Sequence, residues 1–290
     1  LRRMRAAWPA LRELVTEEPA TATSLDRMVG PNRGLALIRG SLDAVKEVAH
    51  RDGGTVNDVL LTVTAGGLRA LLQHRGEQVE GTTLRTYVPV SLRRRLDGPQ
   101  QGNLIAQMVV PLRLGEPDPM RRLRDIAAET TRRKAKAHTS LDVMMQGRIV
   151  RGLLLQAVMR QRVNVTTASI PGPPMPLYLA GAPILEVFPV LPLIANEPLG
   201  VGVVSYAGGL YIGIAADGDA FPDLGVLADG VRADMEALGS SPECVWSLGQ
   251  HRMEQAMTIA PHLCDCLAAS YQPWMVSPWR AAHRCCTPVS

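Results

Sequence analysis

Two runs of strand-forming residues, 200–206 and 210–216, stand on either side of Ala207-Gly208-Gly209. Small residues that tolerate a positive φ, set between β-prone runs, specify a tight antiparallel hairpin. In the second run Leu210, Ile212 and Ile214 share one face, and Tyr211, Gly213 and Ala215 share the other. The rest of the chain must supply a sheet for this hairpin. Shorter strand signals occur at residues 35–38, 84–91, 103–114 and 163–170. Helical patterns occupy residues 42–50, 56–74, 117–137, 141–160 and 222–238. Strands mixed with helices, together with a hairpin, predict an α/β layered domain with a mixed sheet.

Composition narrows the class. Of 290 residues, 46% are hydrophobic and 20% charged, which supports a sizeable core and excludes disorder over most of the length. The most apolar stretch, residues 182–195, is interrupted by Pro183, Pro189 and Pro192, so no spanning helix is expected. No basic, apolar and small-residue leader is seen, and the chain begins with Leu1, as a fragment or processed product would. The net charge of +4 rests almost wholly on arginine, with lysine only at Lys46, Lys134 and Lys136. Basic clusters at 93–95, 121–124 and 132–136 are interleaved with Glu116, Asp118, Asp125 and Glu129, and aromatic residues are 4% of the chain. Without stacking aromatics they read as solvated helix faces, and no nucleic-acid partner is expected.

The chain changes character near residues 239–242. All five cysteines lie between Cys244 and Cys286. Three segments are therefore expected: an amphipathic helix and linker over 1–33, a main domain over 34–240, and an unstructured tail over 241–290. In the first, Leu1, Met4, Trp8, Leu11 and Val15 share a face among arginines, which suits a membrane surface or packing on protein. In the tail, His262, Cys264 and Cys266 precede His283, Cys285 and Cys286. The residue types suit zinc but the spacing matches no standard site, so no metal is expected.

Familiar catalytic motifs are missing. There is no G-x-S-x-G elbow, P-loop or HExxH. Gly200-Val-Gly202 leads into a hairpin and not a helix, which excludes a dinucleotide fingerprint. Two local features stand out. Thr55 and Asp58 form a capping box after Gly53-Gly54, which accounts for both but leaves Asn57 unexplained. Ser169-Ile170-Pro171-Gly172-Pro173-Pro174 ends a strand in a stiff elbow that is poor in N–H donors, either a structural corner or the wall of an apolar channel.

These features occur in an order that resembles the C-terminal half of the bacterial wax ester synthase/diacylglycerol acyltransferase family. The resemblance is carried by residues 55–61 (Thr-Val-Asn-Asp-Val-Leu-Leu), 88–93 (Val-Pro-Val-Ser-Leu-Arg), Gly102-Asn103, 169–173 (Ser-Ile-Pro-Gly-Pro) and 176–182 (Pro-Leu-Tyr-Leu-Ala-Gly-Ala). It continues through 204–208 (Val-Ser-Tyr-Ala-Gly), 215–217 (Ala-Ala-Asp) and Pro222-Asp223. It covers roughly residues 32–240. It implies a mixed-sheet lobe of the CoA-dependent (chloramphenicol acetyltransferase-like) acyltransferase fold, with helices packed on the sheet. The family's Asn-Asp motif falls on Asn57 and Asp58. Its Ser-Asn-Val-Pro-Gly-Pro motif falls on residues 168–173, where Ala168 and Ser169 replace Ser and Asn.

The resemblance implies an acyl-CoA:diacylglycerol or long-chain-alcohol O-acyltransferase of triacylglycerol or wax ester synthesis. Acyl-CoA would be a co-substrate, with no bound cofactor. The expected substrate-wall residues are Asn57, Asp58, Ser169, Pro171, Gly172 and Pro173. The family's His-His-x-x-x-Asp-Gly motif, whose second His is the implied base, does not occur among the 290 residues. His138 and Asp142 are spaced as H-x-x-x-D, but Ala137 precedes them and Val143 follows. His138 is accordingly read as a loop or surface residue and not a base, and His50-Arg51-Asp52-Gly53 is a weaker likeness still. No catalytic residue is assigned. The chain alone is expected to be inactive, either paired with a separate N-terminal lobe or acting as a non-catalytic lipid- or partner-binding remnant. The implied setting is cytoplasmic, with a membrane or lipid-body surface as a peripheral site. Carrier-dependent condensation chemistry shares the fold and is a third reading.

Overall fold

The computed structural model describes residues 20–91, 105–144, 163–193, 197–240 and 242–248. Its elements are β1 (Arg33–Ser41), α1 (Leu42–Arg51), α2 (Val56–His74), β2 (Thr83–Ser91), β3 (Ile105–Arg113), α3 (Pro119–Met144) and β4 (Val165–Pro171). A two-residue pair, β5 (Tyr178–Leu179) and β6 (Ala182–Pro183), precedes β7 (Leu199–Tyr206), β8 (Gly209–Asp217), α4 (Leu224–Ala237) and β9 (Glu243–Leu248).

Seven strands form one sheet in the order β3-β2-β4-β7-β8-β1-β9. The β2–β4 and β4–β7 pairs are parallel. The β2–β3, β7–β8, β1–β8 and β1–β9 pairs are antiparallel. The sheet is therefore mixed, as the alternation of signals predicts. Tyr206 faces Gly209 across the β7–β8 hairpin, which leaves Ala207 and Gly208 as a two-residue loop with φ of 47° and 85°. Two successive positive φ values match the right-handed twist of the flanking strands.

Alternation sorts the strands into two faces. Ile38, Val201, Val203, Ile212 and Ile214 enter the main core with Val45 and Val48 of α1, Leu61 and Leu68 of α2, Leu123 of α3 and Leu227 and Val231 of α4. The helix α2 is buried along most of its length because it lies beneath both α3 and α4, which its apolar residues on several sides permit. On the opposite sheet face the segment after β6 crosses β7 and β8. There Phe188 meets the Tyr211 ring edge-on at 5.2 Å, and Gly200, Gly202 and Gly213 make room for Leu191 and Pro189.

Three expectations need correction. Residues 20–32 do not behave as a free linker: Leu25 is fully buried in the main core and the Thr21 N–H donates to the Thr83 carbonyl at 2.9 Å. The helix expected to end at 137 runs to Met144, so His138 lies in a helix and not in a loop. The sheet continues past Gly239–Pro242, because β9 pairs with β1. The N-terminal helix over 1–15, most of the helix expected over 141–160, and the tail histidines and Cys264, Cys266, Cys285 and Cys286 lie outside the described residues.

Arg75, just after α2, ties several of these parts together. It donates to the two Asp223 carboxylate oxygens at 2.8 and 2.5 Å, to Ser24 Oγ at 2.8 Å and to the Ala220 carbonyl at 2.8 Å. The Arg75 hydrogen bonds hold the Asp223 carboxyl below its usual 3.8, against the opposing effect of burial. A depressed carboxyl stabilises the fold fully above its unfolded value and loses that contribution as pH falls through the folded one. Asp223→Asn is expected to cost about 2 kcal/mol at pH 7 and progressively less below pH 3.8. Urea unfolding at pH 7 and pH 3 measures it, and an equal loss at both would sink this account.

Candidate functional site

The site is assembled from three chain reversals. Ser41 caps α1 by accepting from the Ala44 N–H at 3.3 Å. Gly53, at φ 69°, turns the chain toward α2. There Thr55 Oγ1 accepts from the Asp58 N–H at 3.4 Å, while Asp58 Oδ2 accepts from the Thr55 N–H at 2.8 Å and the Thr55 hydroxyl at 2.7 Å. This is the capping box expected from the sequence.

The second reversal is the proline elbow. The parallel β4–β7 register ends at Pro171 opposite Ser205. The Gly172 N–H then donates to Ser205 Oγ at 3.2 Å, and the Ala207 N–H donates to the Pro173 carbonyl at 3.1 Å. The third reversal is the β7–β8 hairpin, so the elbow is seated directly on the hairpin loop. Beyond it, the Tyr206 hydroxyl accepts from the Leu177 N–H at 2.7 Å and donates to the Ile184 carbonyl at 2.8 Å, which pins the base of the β5–β6 arm.

Between α1, the start of α2, the elbow and the hairpin lies a groove of about 740 Å³, a size that accepts a small organic ligand. Its wall is largely apolar, with Leu42, Ala49, Val56, Ile170, Val203 and Leu210 contributing. Asn57, Ser169, Pro171, Gly172 and Pro173 all line it, although α2 and β4 are more than 90 residues apart in sequence. The Asn57 Nδ2 amide is buried and has no hydrogen-bond partner. A buried donor left unpaired costs about 1–3 kcal/mol, and the residue that carries it lines the groove.

Asp58 behaves differently. It is buried and is not part of the groove lining. Its Oδ1 accepts from the Thr130 hydroxyl of α3 at 2.7 Å, so the carboxylate fixes the first turn of α2 against α3. His138 lies on the backbone of α3, and its side chain is outside the described residues. Lys46, His50 and Ser205 line the groove as well. Sequence reasoning did not assign them to the site. Spacing offered one clue, since Lys46 and His50 are i and i+4 on a short amphipathic helix and so share a face. Among the described residues, no cluster of His, Cys, Asp or Glu is arranged to hold a metal, and no helix is long and apolar enough to cross a membrane.

Residues 101–239 match the model of the WS/DGAT C-terminal domain, that is, of wax ester synthases/diacylglycerol acyltransferases. A Mycobacterium tuberculosis protein named as a probable diacylglycerol O-acyltransferase is 32% identical over 220 residues, which are 72% of this chain and 47% of that protein. An O-acyltransferase of Acinetobacter baylyi is 28% identical over 72% of this chain and 46% of its own length. The chain thus spans about half the length of the curated relatives it matches. Among solved structures, a wax ester synthase/diacylglycerol acyltransferase from Marinobacter aquaeolei superimposes with a TM-score of 0.59 at 20% identity, covering 81% of this chain and 56% of that one. The epimerization domain of tyrocidine synthetase B superimposes with a TM-score of 0.51 at 15% identity, covering 82% and 55%. The mixed-sheet lobe, the ordered motifs and these relatives agree: the chain belongs to the wax ester synthase/diacylglycerol acyltransferase family and carries its C-terminal domain.

Proposed function

We propose that this chain forms one wall of the active-site tunnel of an acyl-CoA-dependent O-acyltransferase that esterifies diacylglycerol or a long-chain alcohol. The observation that carries this reading is the groove that brings Asn57 and the Ser169–Pro174 elbow together. Moving an acyl group from a thioester to a hydroxyl needs a base for the hydroxyl proton and donors for the carbonyl oxygen as it gains charge. It also needs water kept away, because water would compete as the acceptor. The groove suits the second and third needs. Pro171, Pro173 and Pro174 have no N–H to hold water, and the Gly172 N–H is already given to Ser205. Asn57 Nδ2, buried just behind this wall without a partner, becomes a donor to the groove when its amide turns toward a ligand. Asp58, held by Thr55 and Thr130, is a positioning residue that sets the orientation of Asn57. The base is supplied by a His-His-bearing segment outside the 290 residues. An apolar arm at the groove's edge, with Met175, Leu177, Tyr178 and Leu179 exposed, supports contact with a second lobe or a lipid surface.

The test is ester formation from labelled long-chain acyl-CoA with diacylglycerol or a long-chain alcohol. The chain is assayed alone, with His138→Ala beside it, and with the N-terminal half of a relative that carries the His-His motif. Ester is expected only from the combination. Asn57→Ala in that combination should slow it about ten-fold, the worth of one lost hydrogen bond in a desolvated site. Product from the chain alone that disappears in His138→Ala would overturn the reading of where the base lies. A second reading, a non-catalytic lipid-binding remnant, rests on the same missing motif. It predicts acyl-chain binding without ester under every combination.

A further inference from the structure

The groove has an apolar floor, but the acidic and basic side chains of its lining are gathered on one element. Asp43, Lys46 and His50 all project from α1 into the lining, beside Leu42 and Ala49 on the same helix stripe. The other walls contribute neutral polar groups: Thr55, Asn57, Ser169, Ser205 and the Tyr206 phenol. Lys46 and His50, four residues apart, share one face of α1. Lys46 keeps about half of its side chain exposed and lies 3.9 Å from the Asp43 carboxylate, which is itself almost fully exposed. An ion pair that long between exposed groups contributes little and leaves the ammonium able to take a better partner. Lys46 is also one of three lysines in a chain whose other basic residues are arginines.

Building on the acyl-CoA reading above, we propose that the α1 face bearing Lys46 and His50 is the phosphate-binding mouth of this groove, and that it receives the phosphorylated nucleotide end of the acyl thioester while the acyl chain runs toward the proline elbow. The polarity requires this direction. An apolar, donor-poor elbow cannot compensate a phosphate for lost water, whereas a lysine and a histidine at a solvent-open rim can do so without being desolvated themselves. Asp43 opposes the same anion and competes for Lys46, so it tunes the mouth toward weaker, reversible binding.

The experiment is titration of the 290-residue chain with lauroyl-CoA and with lauroyl-pantetheine, which keeps the thioester and lacks the phosphates. Lys46→Ala should weaken lauroyl-CoA about ten-fold, as expected for one charge-assisted hydrogen bond, and leave lauroyl-pantetheine unchanged. Asp43→Asn should act in the opposite direction and tighten lauroyl-CoA two- to three-fold, roughly the worth of one surface ion pair. Raising the salt from 0.05 to 0.5 M should weaken lauroyl-CoA and erase most of the difference between wild type and Lys46→Ala. Lys46→Arg should retain most of the affinity, which separates loss of charge from damage to α1. If both ligands bind and neither responds to Lys46 or Asp43, the phosphate mouth is wrong and the groove reading survives. If neither ligand binds the wild-type chain, the groove reading and this proposal fall together.

Discussion

Gly172→Ala is expected to cost about 3 kcal/mol and to abolish binding of long-chain acyl ligands to the groove. A Cβ at residue 172 would lie 2.1 Å from the Ser205 carbonyl oxygen, a backbone atom that cannot rotate away. Pro171 is paired with Ser205 at the end of the β4–β7 register, and the Gly172 N–H is bonded to Ser205 Oγ. The two chains can separate only by breaking that bond and lifting the elbow from the hairpin, where Pro173 accepts from Ala207. Over-packing of a close contact typically costs 1–3 kcal/mol, and a rigid backbone partner puts this one at the top of that range. The midpoint of thermal unfolding should fall by about 6–12 °C. Differential scanning fluorimetry and titration with lauroyl-pantetheine check the two parts. Ser205→Ala provides the contrast, because it deletes the side-chain bond without adding bulk. It should cost only about 1 kcal/mol and leave the groove open. An alanine at 172 that binds and melts like the wild type would show that the elbow is not seated on β7 in solution.

The second large effect lies away from the groove. Arg122 of α3 is buried and donates to the Asp234 carboxylate of α4, to the Glu116 carbonyl at 2.8 Å and to the Thr62 carbonyl of α2 at 3.3 Å. Gly66 of α2 makes the room for this, since a Cβ there would overlap Asp234 Oδ2. Burial pushes the Asp234 carboxyl up, and Arg122 beside it offsets this only in part. The pair therefore adds little by itself, but stranding one member is costly. Asp234→Ala should destabilise by about 3 kcal/mol, at the lower end for a broken buried pair because the carbonyl bonds to Arg122 remain. The double variant Arg122→Met with Asp234→Leu should recover most of that loss, since well-packed apolar residues often replace a buried ion pair at no cost. Chemical denaturation of Arg122→Met, Asp234→Leu and the double variant closes the cycle, with Asp234→Ala measured beside it. A double variant as unstable as Asp234→Ala would mean that the pair, and not the stranded charge, carries the energy.

Both effects concern places where one chain segment meets another far from it in sequence, and these were the places least legible beforehand. The Gly53–Gly54 break, the capping box at Thr55 and Asp58, and the hairpin at Ala207-Gly208 were readable because each is local chemistry. A positive φ, an orphan N–H and a turn length are decided within a few residues. The elbow was readable as donor-poor for the same reason. That Asp58 turns away from the groove was not readable, because its partner Thr130 is 72 residues away. Nor was the burial of Leu25, since periodicity reports which face is apolar and not what covers it. The strand β9 was hidden by a tail whose composition differs from the rest. Lys46 and His50 fit a solvated helix face equally well until the elbow was placed opposite α1.

The layered α/β class, the main hairpin and the family could be read from residue type, period and order along the chain, and so could the capping box and the proline elbow as local features. Which side chains of those features face one another depends on how distant segments pack. The sheet order places β4 between β2 and β7, and that non-local pairing sets the elbow against α1 and the start of α2. Asn57 thereby comes to line the groove, Asp58 becomes an internal brace, and an ordinary amphipathic helix brings Asp43, Lys46 and His50 to the groove. Long-range pairing is chosen by the whole core at once, so no single window of sequence contains it.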